Sequence, residues 1–466
     1  MFTAQTWSAI CRSQGWRWRA LWALLVVAAL VRADYLSWAG VRFFPDSPSY
    51  TSVARRMLRG GTPLDPHRTL TYPVFLALNF RAFGDDNWTA VVLMQGMLGV
   101  AGVGLVFLIL LKLTDNAALS WFGGMLWAVN FHAMIYDAAI LTESLSVFVT
   151  LCFVYLLMEV VIRGPGWLNV ALLHVALLIL VFLKPVFLTM LVVPVVFCGG
   201  LWWMHRDGRI GTRFGTCFAL FVLLPILTVS YANRSRYGFF HISNVGPLSL
   251  LGVVLHSGVY EHAPAEFQQV VEVIERKQKS LAGFERTNPY SFEKDIAALG
   301  PRRSSADFSY ISKFCLASIG ARPDLHLRYC LGNWPVLFRT SRYESKYQQT
   351  GGFVSEWAER LYMRLTSNIY KKFFWIVLFL AGVGGMVVGF VQSPPRGLAL
   401  MGLVLIVFIH ALALCLMAYD DWGRLRLPVD PLLIIIPLAS VQAIRPFVKS
   451  LTDLVRRRRK GAAESN

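Results

Sequence analysis

Charge is scarce in this chain. Acidic and basic residues together make up 15% of its 466 residues, where an ordinary soluble domain carries about 25%. Several windows of about 18 or more residues are nearly free of charge, long enough to cross a hydrocarbon core of roughly 30 Å as helices. Strict alternation of apolar and polar residues is missing as well, which argues against a membrane β-barrel. In lipid that leaves helices as the spans, because they satisfy their own backbone groups. No HExxH motif, CxxC pair or histidine cluster is present to suggest a metal site, and no glycine-rich loop follows a strand to cradle a nucleotide. With no alternation of strands and helices either, a soluble nucleotide-sugar fold is excluded. No internal repeat and no low-complexity tract occurs. Finally, Arg12, Arg17 and Arg19 precede the apolar stretch Leu21–Val31 as in a signal peptide, but no small-residue cleavage site follows, so the first span is expected to be retained.

What the chain does have is apolar bulk, 56% hydrophobic and 14% aromatic residues, and a formal net charge of +18. The expected fold is an all-α polytopic membrane protein with about ten transmembrane helices, at 18–38, 90–111, 117–136, 139–162, 167–184, 187–204, 214–233, 371–391, 396–418 and 428–446. Both ends are basic, and Arg456–Lys460 forms a run directly after the last apolar segment. An even number of spans puts both termini in the cytoplasm, together with the basic loops near Arg163, Arg206–Arg213 and Arg396, as the positive-inside bias requires. Spread in patches of this kind, the charge suits anionic lipid, and nucleic acid is not an expected partner.

The organisation that follows is a membrane module at 1–233 with an outer loop at 39–89, an outer-face soluble insertion at 234–370 between spans seven and eight, a second membrane module at 371–447, and a basic tail at 448–466. Within the outer loop, "TYPVFLALNFRAFG" (71–84) is too short to span and reads as an interfacial amphipathic helix. The insertion is large enough for a small core of its own, and 263–281 and 324–339 have helical periodicity. Five of the seven cysteines lie in or beside apolar spans. Cys315 and Cys330 are the pair in the insertion, and the spacing leaves a disulfide between them open.

Candidate chemistry gathers on the outer side. In "PDSPSY", Asp46 or Ser47 caps a helix whose first turn holds Pro48, or Asp46 is a reactive carboxylate; capping would itself fix the carboxylate in place. In "YDAAILTESL" (136–145), Asp137 falls in a short outer turn and Glu143 one to two turns into the next span, where a carboxylate marks a functional cavity or pairs with arginine. Arg32, Arg68, Lys184, Arg424 and Arg426 lie near the same face, each readable alone as an interface anchor. Together they suggest a site for a phosphorylated lipid, because a guanidinium fork matches phosphate oxygens. Tyr50 and Tyr72 are further pocket candidates.

Taken in order, "PDSPSYTSVARRMLRGG", "RTLTYPVFLALNFRAFG", "LTESLSVF" and "RLRLPVDPLL" resemble the GT-C class of integral membrane glycosyltransferases, in the branch of dolichyl-phosphate-mannose protein mannosyltransferases and bacterial aminoarabinose transferases. The resemblance covers about the first 190 residues and the last 50. It implies that Asp46 is the base that deprotonates the acceptor hydroxyl, that Glu143 is the acidic residue of the fourth span, and that Arg68 and Arg424 hold the donor phosphate. Arg32 and Lys184 extend that set. One departure from the pattern is Ser47, where many members carry a second acidic residue; a hard divalent cation then lacks oxygen ligands there, so no metal and no cofactor is expected. The implied activity moves a sugar from a polyprenyl-phosphate donor to a glycan, lipid or protein hydroxyl at the periplasmic face of the cell inner membrane, with inversion. A partly apolar pocket is expected to raise the basicity of Asp46. The competing readings are a transporter or flippase of lipid-linked sugars and a scaffold whose insertion docks partners.

Overall fold

The structure, a computed structural model, describes residues 4–301, 308–338 and 374–446, with a few isolated positions between 356 and 364. The predicted basic tail at 448–466 and much of the region 339–373 lie outside the described residues. Among the described residues the regular structure is helical, apart from one isolated parallel bridge between Arg42 and Ala139.

The first half runs through α1 (Ala4–Ala39), α2 (Ser47–Leu58), α3 (Thr71–Phe83), α4 (Trp88–Thr114), α5 (Ala117–Ala128), α6 (Phe131–Asp137), α7 (Glu143–Arg163) and α8 (Trp167–Val181). A 3-10 turn, Pro185–Leu191, leads into α9 (Val192–His205), followed by α10 (Arg209–Phe218) and α11 (Leu224–Tyr237). Next come α12 (Val245–Ser257), α13 (Gln268–Ser280), α14 (Glu293–Leu299), α15 (Ser309–Ala321) and α16 (Pro323–Asn333). The chain returns with α17 (Phe374–Gln392), α18 (Pro394–Met417) and α19 (Trp422–Pro446).

Among the described residues, helices stand within all ten predicted segments, and 7 helices are long and apolar enough to cross a membrane. Those seven are Gly15–Ala39, α4, α7, Pro185–His205, Arg209–Tyr237, α18 and α19. Of these, α7 is the most enclosed by its neighbours and Arg209–Tyr237 the least. The latter continues through Pro225, whose ring cannot accept a regular α-turn before it. A π-turn at Ala219–Leu223 takes up the mismatch.

Two predicted spans differ from expectation. The segment 117–136 is broken at Val129–Asn130, because the Asn130 side chain accepts the Ala133 N–H at 3.0 Å and starts a new helix there. Segment 139–162 begins its helix only at Glu143, because Ala139 is bridged to Arg42: Arg42 N donates to Ala138 O at 2.9 Å and Ile140 N to Arg42 O at 3.0 Å.

The break in α5–α6 is stitched by Arg32. Its Nη1 donates to Ala128 O at 3.2 Å and its Nε to Asp137 Oδ2 at 2.9 Å, while Ser144 Oγ donates to Asp137 Oδ1 at 2.6 Å. Gly99 leaves the room for this, since a Cβ there would stand 2.5 Å from Asp137 Oδ2 and 2.6 Å from Arg32 Nε. With both side chains below 5% exposed, removing one partner strands a charge in the protein interior. Arg32→Leu is therefore expected to lower stability by about 3–5 kcal/mol, read as a fall in detergent melting temperature. Adding Asp137→Asn should recover much of the loss; a single variant as stable as wild type would refute the argument.

One large core joins the membrane helices. A second, separate core runs from Leu248 to Cys315, and brings α12, α13, α14 and α15 together around Phe267, Phe292 and Phe314. The predicted helix at 263–281 is present as a 3-10 turn and α13. That at 324–339 ends as α16 at Asn333, two residues before Pro335. Cys315 and Cys330 are both free thiols.

Candidate active site

The stretch between α1 and α3 supplies the centre of the site. Helix α2 starts at Ser47 with Pro48 in its first turn, as predicted, but Asp46 makes no side-chain cap. Ser47 does the local work instead: its Oγ accepts the Phe44 N–H at 2.9 Å and donates to Ile140 O at 2.8 Å. The Asp46 carboxylate is thereby left for other partners.

Two guanidiniums take it. Arg68 Nη2 donates to Oδ1 at 2.8 Å and Arg424 Nη2 to Oδ2 at 2.9 Å, from segments 22 and 378 residues away. Arg68 is itself oriented by Ser49 Oγ at 2.7 Å and Tyr50 Oη at 3.3 Å, with its Cζ 4.4 Å from the Tyr50 ring centroid. The Tyr50 ring meets Tyr72 edge-on. Tyr72 Oη donates to Gln95 Oε1 at 2.9 Å, and Gln95 Nε2 holds Asp137 O and Ala139 O at 3.0 Å and 2.6 Å. A chain of side chains thus fixes Arg68 to the loop that precedes Glu143.

Glu143 is the first residue of α7, where a negative charge faces the positive end of the helix dipole. Only 1% of its side chain is exposed, and it pairs with Lys184 Nζ at 2.8 Å and Arg424 Nε at 3.1 Å. Lys184 reaches it because Pro185 forces the preceding residue into an extended conformation, φ −147° and ψ 133°. Arg424 Nε also stands 3.3 Å from Asp421 Oδ2. One guanidinium therefore joins three carboxylates, Asp46, Glu143 and Asp421.

The sequence-predicted residues divide cleanly. Asp46, Glu143, Arg68, Arg424, Lys184, Tyr50 and Tyr72 form one connected group. Arg32 and Asp137 do not join it, being spent on each other. Arg426 is also elsewhere: its Nε and Nη2 bind Asp430 at 2.6 Å and 3.2 Å, and its Nη1 binds Leu337 O at 2.6 Å. Sequence reasoning missed Ser49, Gln95 and Asp421. The signal for Asp421 was the adjacent acidic pair Asp420–Asp421 in a short loop between two spans; a lone Gln in an apolar helix gives none.

The expectation that burial makes Asp46 more basic is overturned. Burial pushes its carboxyl up, but Arg424 and Arg68 outweigh it and hold the group well below the ordinary carboxylate range. Among the described residues no three His, Cys, Asp or Glu side chains converge as metal ligands do.

The chain that follows α11 borders this group. Asn244 N donates to Pro66 O at 2.7 Å and Ser243 Oγ to His67 O at 3.2 Å, beside Arg68. Tyr290 lies close enough for the charges of Arg68 and Asp46 to act on its phenol. Gly252 of α12 sits against Tyr419, two residues before Asp421, so closely that a Cβ would strike the ring.

No family model matches the sequence, and no curated protein matches it. Solved structures do. The archaeal oligosaccharyltransferase AglB from Archaeoglobus fulgidus, in complex with an inhibitory peptide and a dolichol-phosphate, is similar at 13% identity and a TM-score of 0.52, over 96% of this chain and 52% of that one. An Archaeoglobus fulgidus oligosaccharyltransferase in the apo form is similar at 13% identity and 0.49, over 93% and 52%. ArnT from Cupriavidus metallidurans bound to undecaprenyl phosphate aligns at 12% identity and 0.36, over 92% and 78%. The chain spans about half the length of the archaeal enzyme. The likeness to AglB shows a shared fold.

Proposed function

We propose that this protein is a membrane glycosyltransferase that moves a sugar from a polyprenyl-phosphate donor to an acceptor hydroxyl on a glycan, lipid or protein. One observation carries the reading: Arg68 and Arg424, far apart in sequence, converge on a single carboxylate, with Lys184 beside them. Three fixed cations at the edge of a bundle form a clamp for a phosphate whose negative charge grows as the sugar leaves. In the reading, the donor's phosphate oxygens compete with Asp46 for the two guanidiniums. Asp46 stays in the site as a permanently ionised group beside the sugar, where it opposes the positive charge that develops at the anomeric carbon. Glu143 is a positioning residue that holds Lys184 and Arg424. The cations supply the charge that a metal would otherwise provide, so the proposal needs none. One displacement on the face opposite the phosphate inverts the anomeric centre.

The positive-inside pattern supports an inner-membrane location, with both termini cytoplasmic and the site on the periplasmic face. The insertion at 234–370, bordering the clamp through Tyr290 and α12, is the proposed acceptor-side wall. A flippase of lipid-linked sugars is the alternative, and its work requires a bilayer. The test is to supply undecaprenyl-phosphate hexoses and pentoses to the purified full chain in detergent with a panel of hydroxyl acceptors. Acceptor-dependent release of undecaprenyl phosphate is the expected result; binding without release points to the flippase. Arg68→Ala is expected to raise the donor KM by about 10–100-fold, the loss of one charge-assisted contact worth about 1.5–3 kcal/mol. Unchanged donor kinetics would remove Arg68 from the clamp.

A further inference from the structure

Asp421 belongs to none of the motifs and holds no phosphate, yet its setting is unlike that of the other carboxylates. It is a non-glycine residue with φ 57°, in the left-handed region that Asp and Asn tolerate at a local cost. Its side chain is 12% exposed, and neither carboxylate oxygen has a hydrogen-bond donor. Asp46 is the opposite case, with a guanidinium on each oxygen. The two carboxylates share Arg424, Asp46 at Nη2 and Asp421 near Nε. Two neighbouring carboxylates whose surroundings differ in this way commonly divide the labour between a fixed charge and a proton carrier.

We propose that Asp421, rather than Asp46, is the catalytic base, its buried carboxylate having no hydrogen-bond donor of its own and taking the proton of the acceptor hydroxyl; this rests on the transferase reading above. As the acceptor oxygen bonds to the anomeric carbon, the bond from that carbon to the phosphate oxygen breaks with its electron pair. The phosphate gains one negative charge and Asp421 gains one proton, so the charge of the cluster is unchanged through the step. The proton then leaves to solvent after the product departs. Left-handed backbone and burial hold the group still, which suits a base that must meet a hydroxyl at hydrogen-bond distance. Burial raises its pKa to about 6, Arg424 opposing and Glu143 and Asp420 adding, with His132 opposing from α6. A carboxylate at that level is a better proton acceptor near neutral pH than one held below its ordinary range.

The test uses the full chain in detergent, with undecaprenyl phosphate alone for binding and the sugar-donor panel for turnover. Asp421→Asn keeps the left-handed backbone, and Asp421→Gly adopts it without strain. Both variants are expected to bind undecaprenyl phosphate within about threefold of wild type and to lose roughly 10²–10⁴-fold in kcat. Wild-type kcat should fall as pH drops below about 6, since the base is then protonated. The residual rate of Asp421→Asn should lack that limb, and formate should restore part of the rate of Asp421→Gly. A variant rate within a few-fold of wild type, a limb that persists in the residual rate, or no response to formate overturns the assignment. A wild-type protein that neither binds undecaprenyl phosphate nor turns over overturns the transferase reading itself.

Discussion

Replacing Arg424 by Gln is expected to abolish measurable sugar transfer, a loss of at least about 10³-fold, and to destabilise the protein as well. The rate argument is that one guanidinium on the leaving phosphate is worth about 10²–10³-fold in a dry site, and Arg424 also aligns both Asp46 and Asp421. The stability argument is separate. Asp46, Glu143 and Asp421 all lie within 3.3 Å of this side chain, and removing a buried partner costs about 3–5 kcal/mol. Arg424→Lys distinguishes the two effects: a point charge restores part of the stability but cannot reach three carboxylates from one planar fork. The Lys variant should thus melt between the Gln variant and wild type while remaining inactive. Transfer by Arg424→Lys at more than about a tenth of the wild-type rate would show that charge alone suffices, against the geometric reading.

Asp46→Asn is expected to separate donor binding from turnover in opposite directions. In the donor-free protein the carboxylate competes with phosphate for Arg68 and Arg424, so removing its charge frees both guanidiniums. Undecaprenyl phosphate should then bind more tightly, by roughly tenfold if about 1.4 kcal/mol of competition is relieved. Turnover should fall by at least about 100-fold, because the fixed anion opposing charge at the anomeric carbon is gone. The acid limb of the residual rate should persist, since the proton acceptor is elsewhere. Binding by calorimetry and single-turnover release of undecaprenyl phosphate measure the two terms. Weaker binding together with an unchanged rate would contradict the competition argument.

The membrane character and the helical class were legible because charge scarcity and long apolar windows act over tens of residues. Helix breaks were not, because they depend on single contacts. Asn130 reads as one more polar residue in an apolar run until its side chain is seen on Ala133 N, and Arg32 is what makes that break tolerable. The candidate group around Asp46 was legible where residue types were unusual for their setting. Asp46 near Pro48, Glu143 at the start of α7 and Arg68 just before α3 all violate the apolar rule locally. Pairing was not legible. Arg32, Arg426 and Arg68 look alike in sequence, and only the fold shows that Asp137 takes the first and Asp430 the second, leaving the third for Asp46. The basicity of Asp46 failed for the same reason: its sign depends on how many guanidiniums arrive, which no local pattern reports.

The backbone bond from Asn244 to Pro66 has a practical corollary for protein engineering. Because it ties the chain just before α12 to a residue two positions from Arg68, the segment that begins there cannot be treated as a detachable cassette. A chimaera that imports another insertion while keeping the native segment 62–68 would re-aim Arg68, so specificity grafts must carry both strips of chain as one transplant.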